Sequence, residues 1–276
     1  PFPFSLFPLP VVPMFTHLHV HSWFSFGAGV SSPEVLARQA AARGFTALAC
    51  TDTNGVYGAV EFQQAALAHG LRPIHGAHLV HGGQEVVALA TDERGWAALC
   101  RAITHIHWTD EHREAGNGKR ETGTPGNRGA EPLPRGSSAS RFPLPVSRDL
   151  SALLATDRAG LLLLSQDIAF LEDLVRRSGP VDVYGELRPG KHRHAVLAAA
   201  QRLGLSCVVT GGVMFANAED WARHRLRVAI ARNAGLEEDE DGTAVRRYGG
   251  TSGEGTLPPY RPTALPSDWL LSLIHI

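Results

Sequence analysis

The run Thr16-His17-Leu18-His19-Val20-His21-Ser22 sets three imidazoles at every second position. In an extended chain alternate side chains point the same way, so these rings would share one face. Imidazole is the commonest protein metal ligand near neutral pH, and such a row is half of a metal site. The plainer alternative is a set of hydrogen-bonded polar residues on the rim of a sheet. Other histidines raise the same choice. His75, His78 and His81 fall on or near one strand, and His105 and His107 fall at the end of a helix they could cap. His192 and His194 flank Arg193 at an exposed helix start and read as solvated. Asp52, beside Asn54-Gly55, suits either a turn or a substrate contact.

Several chemistries are excluded. No Gly-rich phosphate loop, Ser-His-Asp arrangement or redox Cys pair is visible. The formal charge of −1 provides no global field to attract nucleic acid or an anionic membrane. Cys50, Cys100 and Cys207 lie far apart in apolar surroundings and read as free thiols of a reducing, cytoplasmic compartment. Only Lys119 and Lys191 among the 26 basic residues are lysine, which suggests a GC-rich bacterial genome.

The elements that must position these residues alternate between strand and helix. With 43% hydrophobic content, 276 residues can bury a full core. Phe15 to Val20 alternates as a strand, a Gly-rich turn follows at Gly27-Ala28-Gly29, and Ser31-Ser32-Pro33-Glu34 opens a helix that Gly44 stops. Phe45 to Cys50 reads as a buried strand, Ala59 to Ala68 as a helix, Pro73 to Leu79 and Val86 to Ala90 as strands, and Gly95 to Ile106 as a helix. Residues 113–147 lack aliphatic periodicity and read as a flexible, disordered insertion. The alternation then resumes. Helices are expected at Asp149 to Leu154, Ala169 to Arg177, His192 to Leu203 and Ala218 to Asn233, and strands at Gly160 to Ser165, Val181 to Leu187 and Ser206 to Thr210. About seven strand-helix units imply an α/β fold of parallel strands wrapped by helices, a distorted (β/α)7-type barrel akin to the TIM barrel, with functional residues at the carboxyl ends of strands.

At the ends, residues 1–13 carry neither the charged start nor the cleavage site of a secretory signal and read as an upstream segment outside the domain, with Met14 the better start. Residues 14–236 read as the domain. Residues 237–276, acidic and then rich in Gly and Pro, read as a linker, with Leu271 to Ile276 a sequencing artefact. The chain is expected to be a fragment of something longer.

The segment from His17 to Ile74 resembles the start of a PHP (polymerase and histidinol phosphatase) domain, as found at the amino terminus of the bacterial DNA polymerase III alpha subunit and its error-prone relatives. The residues carrying the resemblance are His17-Leu18-His19-Val20-His21-Ser22, Ser31-Ser32-Pro33-Glu34, Thr51-Asp52, Gly58-Ala59-Val60-Glu61-Phe62 and Gly70-Leu71-Arg72-Pro73-Ile74. Ala90-Thr91-Asp92-Glu93-Arg94-Gly95-Trp96 and Glu219-Asp220-Trp221-Ala222-Arg223-His224-Arg225 extend it, so that it covers about Phe15 to Leu236.

Active members of that family resemble phosphoesterases in which a cluster of two or three metal ions activates water. Carried over residue by residue, the resemblance keeps His19 and His21 as ligands but loses others. Ala28 stands where an aspartate is usual, Thr53 where Thr-Asp-His has its histidine, His78 where a glutamate is expected, and Gly212-Val213-Met214 where Asp-x-His is expected. Glu85 sits where another ligand could fall. His19 and His21 then read as vestigial ligands, His78 and Glu85 as weak ones, and no catalytic residue is assigned. Zinc or manganese at low occupancy is the cofactor implied.

The resemblance implies the domain of a C-family DNA polymerase in replication or error-prone repair, itself structural and with a degenerate site. Its partners would be the polymerase core of the same chain, DNA through that parent, and other replisome or repair subunits, with no membrane. The alternatives are an active metal-dependent phosphoesterase or 3′-5′ exonuclease, or a free-standing histidinol-phosphatase-like hydrolase.

Overall fold

The structure, a computed structural model, describes residues 15–116, 149–232, 234–236 and 245–247. Ser32 accepts the Val35 amide and Pro33 takes the first turn, so α1 (Pro33–Ala42) starts where the capping residues place it. One sheet holds β1 (Ala47–Cys50), β2 (Arg72–His81), β3 (Gln84–Ala90), β4 (Leu161–Ser165), β5 (Val183–Leu187) and β6 (Cys207–Val209), in that spatial order. The remaining helices are α2 (Ala59–Ala68), α3 (Glu93–Gly116), α4 (Leu150–Thr156), α5 (Ile168–Ser178), α6 (Arg193–Leu203) and α7 (Trp221–Arg232). A short antiparallel pair, β7 (Ala234–Leu236) and β8 (Val245–Arg247), follows, and β8 falls in the span expected to be linker.

The expected strand Phe15 to Val20 forms no regular ladder. Its backbone is instead stitched on both sides: Ala49 of β1 and Thr51 just after it donate to the carbonyls of His17 and Val20, while Val213, just past β6, donates to His19 and accepts from His21. Val20 and Val213 form a parallel bridge. This segment therefore joins the two edges of the six-stranded sheet and gives it the distorted barrel form expected.

One expectation is corrected. The strands are not all parallel, because β3 runs antiparallel to both β2 and β4. Gly82 and Gly83 hold φ of 61° and 85°, the left-handed pair that a two-residue hairpin turn requires, so the chain doubles back instead of crossing over through a helix. The helix expected to end near Ile106 also runs on to Gly116, which takes residues 113–116 out of the expected insertion; residues 117–147 of it lie outside the described residues. At the start of that helix, Asp92 accepts the Gly95 amide, and a Cβ at Gly95 would lie 1.9 Å from the Gly160 carbonyl oxygen.

Leu99, Ile106, Leu161, Leu163 and Phe170 belong to the larger apolar cluster between sheet and helices, and Leu36, Leu48 and Phe62 to the one beneath α1 and α2. A third cluster, Ala49, Val87, Leu89 and Leu164, draws its buried members from strands only and so marks the face the helices leave free. His78 pairs with Val87 across β2 and β3, and Glu85 lies two residues before Val87, so both share that inner face. Glu186 lies two residues after Tyr184, which packs on the same cluster. Among the described residues, no helix is long and apolar enough to cross a membrane. Leu163 is fully buried in β4, and truncation to alanine is expected to cost about 2–5 kcal/mol in urea unfolding, with an unchanged far-UV spectrum.

Candidate metal centre

His19, His21 and His78 each offer one ring nitrogen, and these atoms lie within 4.8 Å of one another. His19 and His21 are almost completely buried. Their Nε2 atoms stand 2.9 Å apart, and the His78 ring centroid lies 4.8 Å from that of His19 and 5.4 Å from that of His21. Two elements supply the set: the stitched first segment brings two rings and β2 the third.

Behind His19 stands a carboxylate. The His19 Nδ1 lies 2.7 Å from Glu186 Oε1, which also accepts the Thr210 hydroxyl. Burial pushes the His19 pKa down, and the attraction of Glu186 offsets this only in part. Burial alone would raise the Glu186 pKa, but its pairing with His19 takes it below the ordinary value. The pair is therefore an ionised carboxylate accepting from a neutral imidazole, which leaves His19 Nε2 without a proton. A carboxylate-imidazole pair of this kind orients a metal-binding ring and raises its basicity. Burial, and after it the cost of placing a charge beside His19, His78 and Arg188, holds His21 well below its usual pKa.

Glu85 lies 3.5 Å from His78 Nε2, accepts Gln166 Nε2 at 2.7 Å and stands 3.9 Å from the Arg188 guanidinium. The His78 hydrogen bond, opposed by burial and aided by Gln166, brings its pKa to about 2. Because β3 is antiparallel, its first residues lie beside the carboxyl end of β4, where Ser165 donates to the Glu85 carbonyl. That places Glu85 at the same end of the barrel as Glu186.

The donor set suits one ion. Three imidazoles with nitrogens within 4.8 Å of one another could hold one metal ion, and Glu85 stands beside His78 outside that group. A cluster does not fit: among the described residues this is the single group of three such ligands, and Ala28, Thr53, Gly212 and Met214 offer no imidazole or carboxylate.

The expected row of three is corrected: His17 is buried against Phe15 and Phe45 and lies outside the group that holds His19 and His21. His75 turns to the opposite face of β2, where it meets Gln63, Phe62 and Trp96. His81 is buried at the end of β2 but outside the group of three. His105 and His107 cap no helix end, since α3 continues past them, and His107 instead donates to the Asn54 carbonyl and fastens that turn. His192 and His194 are exposed as expected. Asp52 shapes the loop after the histidine row, accepting the Ser22 amide and the hydroxyls of Ser22 and Ser25. His224, buried on α7, donates to the Ala28 carbonyl, so the Gly-rich turn is held by a helix. Glu186, Thr210, Ser25 and Arg188 escaped sequence reading. Glu186 had a signal, a lone charge near the carboxyl end of the apolar strand Val183-Tyr184-Gly185-Glu186-Leu187.

Residues 17–127 match the PHP domain family. A curated relative from Symbiobacterium thermophilum, named error-prone DNA polymerase, is 35% identical over 231 residues, covering 78% of this chain and 21% of the relative. One from Mycobacterium bovis with the same name is 33% identical over 234 residues, covering 79% and 20%. This chain thus spans about a fifth of the length of these relatives. Among solved structures, an amidohydrolase from Chromobacterium violaceum aligns at 17% identity with a TM-score of 0.43, over 77% of this chain and 96% of that one. The geometry gives an expected outcome: His78→Ala lowers zinc affinity at least about tenfold by competition with a chromophoric chelator, whereas His75→Ala leaves it unchanged.

Proposed function

We propose that this chain, which carries a PHP domain over residues 17–127, belongs to a longer DNA polymerase and that its barrel serves that parent as a scaffold built around a single-ion centre. The observation that carries the reading is the alignment with relatives named error-prone DNA polymerase along 78% of this chain, combined with non-ligating Ala28, Thr53, Gly212 and Met214. In this reading the parent performs templated nucleotidyl transfer in replication or repair in the bacterial cytoplasm, with DNA and the polymerase core as the domain's partners.

His19, His21 and His78 would hold one divalent ion, with Glu85 as the nearest carboxylate. Zinc suits three imidazoles better than manganese does, since manganese prefers oxygen ligands. An ion bound there would supply Lewis acidity and cross-link the first segment to β2. The residues around it do structural work: Glu186 ties the first segment to β5, and Gln166 and Arg188 hold Glu85 in place.

A second reading, a working hydrolase on a 3′ end or a small phosphate ester, is favoured by one observation. Three protein ligands with a fourth position open is the pattern of catalytic zinc sites. The two readings separate on activity. For the scaffold, elemental analysis finds no more than one ion per chain, and the metal-loaded protein releases no nucleotide from single-stranded DNA. Hydrolysis that disappears in His19→Ala would establish the enzyme instead. Thr53→His together with Met214→His restores two of the expected ligands and should raise the number of bound ions above one.

A further inference from the structure

The hydroxyl of Ser25 has three partners within hydrogen-bond reach. Asp52 Oδ1 lies at 2.7 Å, the Thr53 amide nitrogen at 3.0 Å and His21 Nδ1 at 2.8 Å. A serine hydroxyl carries one proton and two acceptor lone pairs. Asp52 can only accept, since its two oxygens already receive the Ser22 amide, the Ser22 hydroxyl and, at 3.4 Å, the Cys50 thiol. The proton of Ser25 is therefore committed to Asp52. The Thr53 amide can only donate and occupies one lone pair. What remains for His21 is the other lone pair, so His21 Nδ1 must be the donor, and its Nε2 is bare.

The same assignment holds for His19 through Glu186. Two unprotonated Nε2 atoms are thereby turned toward each other at 2.9 Å. Their lone pairs repel unless a cation lies between or beside them. A buried arrangement that fixes both rings in this tautomer disfavours the apo state and prepares the site for a cation.

From this we infer that Ser25, oriented by Asp52 and the Thr53 amide, is a positioning residue that locks His21 as its Nδ1–H tautomer and presents Nε2 to the metal. The inference rests on the single-ion reading above and adds to it the residue that organises the second histidine. It also gives Thr53 a part. Its side chain offers no imidazole where the family motif has one, and its hydroxyl stands at the longer distance of 3.5 Å from His21 Nδ1, but its main chain takes the Ser25 lone pair that would otherwise let the serine hydroxyl turn toward His21 as a donor.

The test uses the full 276-residue chain with 15N-labelled histidine. Long-range 1H–15N correlation at pH 8 after chelator treatment reads the tautomer of His21, and cobalt(II) titration reads affinity through its visible absorption. The parent is expected to show His21 as Nδ1–H. Ser25→Ala is expected to convert it, in part or wholly, to Nε2–H and to weaken cobalt binding about 10- to 100-fold, with the chelated protein's Tm nearly unchanged. Retention of Nδ1–H in Ser25→Ala overturns the proposal. If the parent binds no cobalt, the single-ion reading fails, and the tautomer shift alone still decides the role of Ser25. Should Ser25→Ala not fold, Ser25→Cys carries the same readouts, because a thiol is a weaker partner on both sides.

Discussion

His19 and His21 meet Nε2 to Nε2 at 2.9 Å inside the barrel, and most of the molecule's distinctive features follow from making that contact possible. Both rings are buried, so charge on them is costly, and each is held from behind by a partner that takes its Nδ1 proton. One of those partners, Glu186, belongs to β5. The other, Ser25, belongs to the loop that follows the row and reaches Asp52 just past β1. The site is thus supported from opposite sides of the barrel, and its geometry depends on closure as much as on the histidines themselves.

Closure in turn depends on a segment that is not a regular strand. Residues 17–21 are bonded to β1 on one side and to Val213 on the other, an arrangement that leaves room for irregular backbone where the rings turn inward. The antiparallel β3 serves the same end. In a strictly alternating parallel barrel the start of a strand lies at the end opposite the site, where its side chains could not reach the ligands. Reversing β3 through Gly82-Gly83 carries Glu85 to within 3.5 Å of His78.

Much of this was legible in the residues. The caps and stops of α1, the span of α2 and the inward row at His19 and His21 follow from local chemistry, which nearby residues determine. His78 could be separated from His75 and His81 only once β2 had a register, because a three-residue spacing alternates faces on a strand. The reversal of β3 was written in Gly82-Gly83 but masked by the surrounding strand-helix rhythm. Glu186 and Ser25 were invisible as partners for a different reason: pairing across 167 residues is a property of the closed barrel, and a serine four residues from a histidine carries no signal until a carboxylate fixes its proton.

Electrostatics favours the proposed single ion over several. Two dications at the usual separation of about 3.5–4 Å repel by roughly 20 kcal/mol even at an effective dielectric of 20, and only bridging anionic ligands offset such a term. In this chain the carboxylates sit behind the imidazoles or beside them. Glu186 and Asp52 are engaged by His19, Thr210, Ser22 and Ser25, and Glu85 is shared among His78, Gln166 and Arg188. Their charge is well placed to make a neutral histidine set attractive to one cation, and poorly placed to bridge two. Arg188, 9% exposed and 3.9 Å from Glu85, adds a fixed positive charge beside that carboxylate. The absence of an imidazole or carboxylate at Ala28, Thr53, Gly212 and Met214 and the outer position of Glu186, Asp52 and Glu85 are consistent with the proposed single-ion centre, which would need its charge at the periphery.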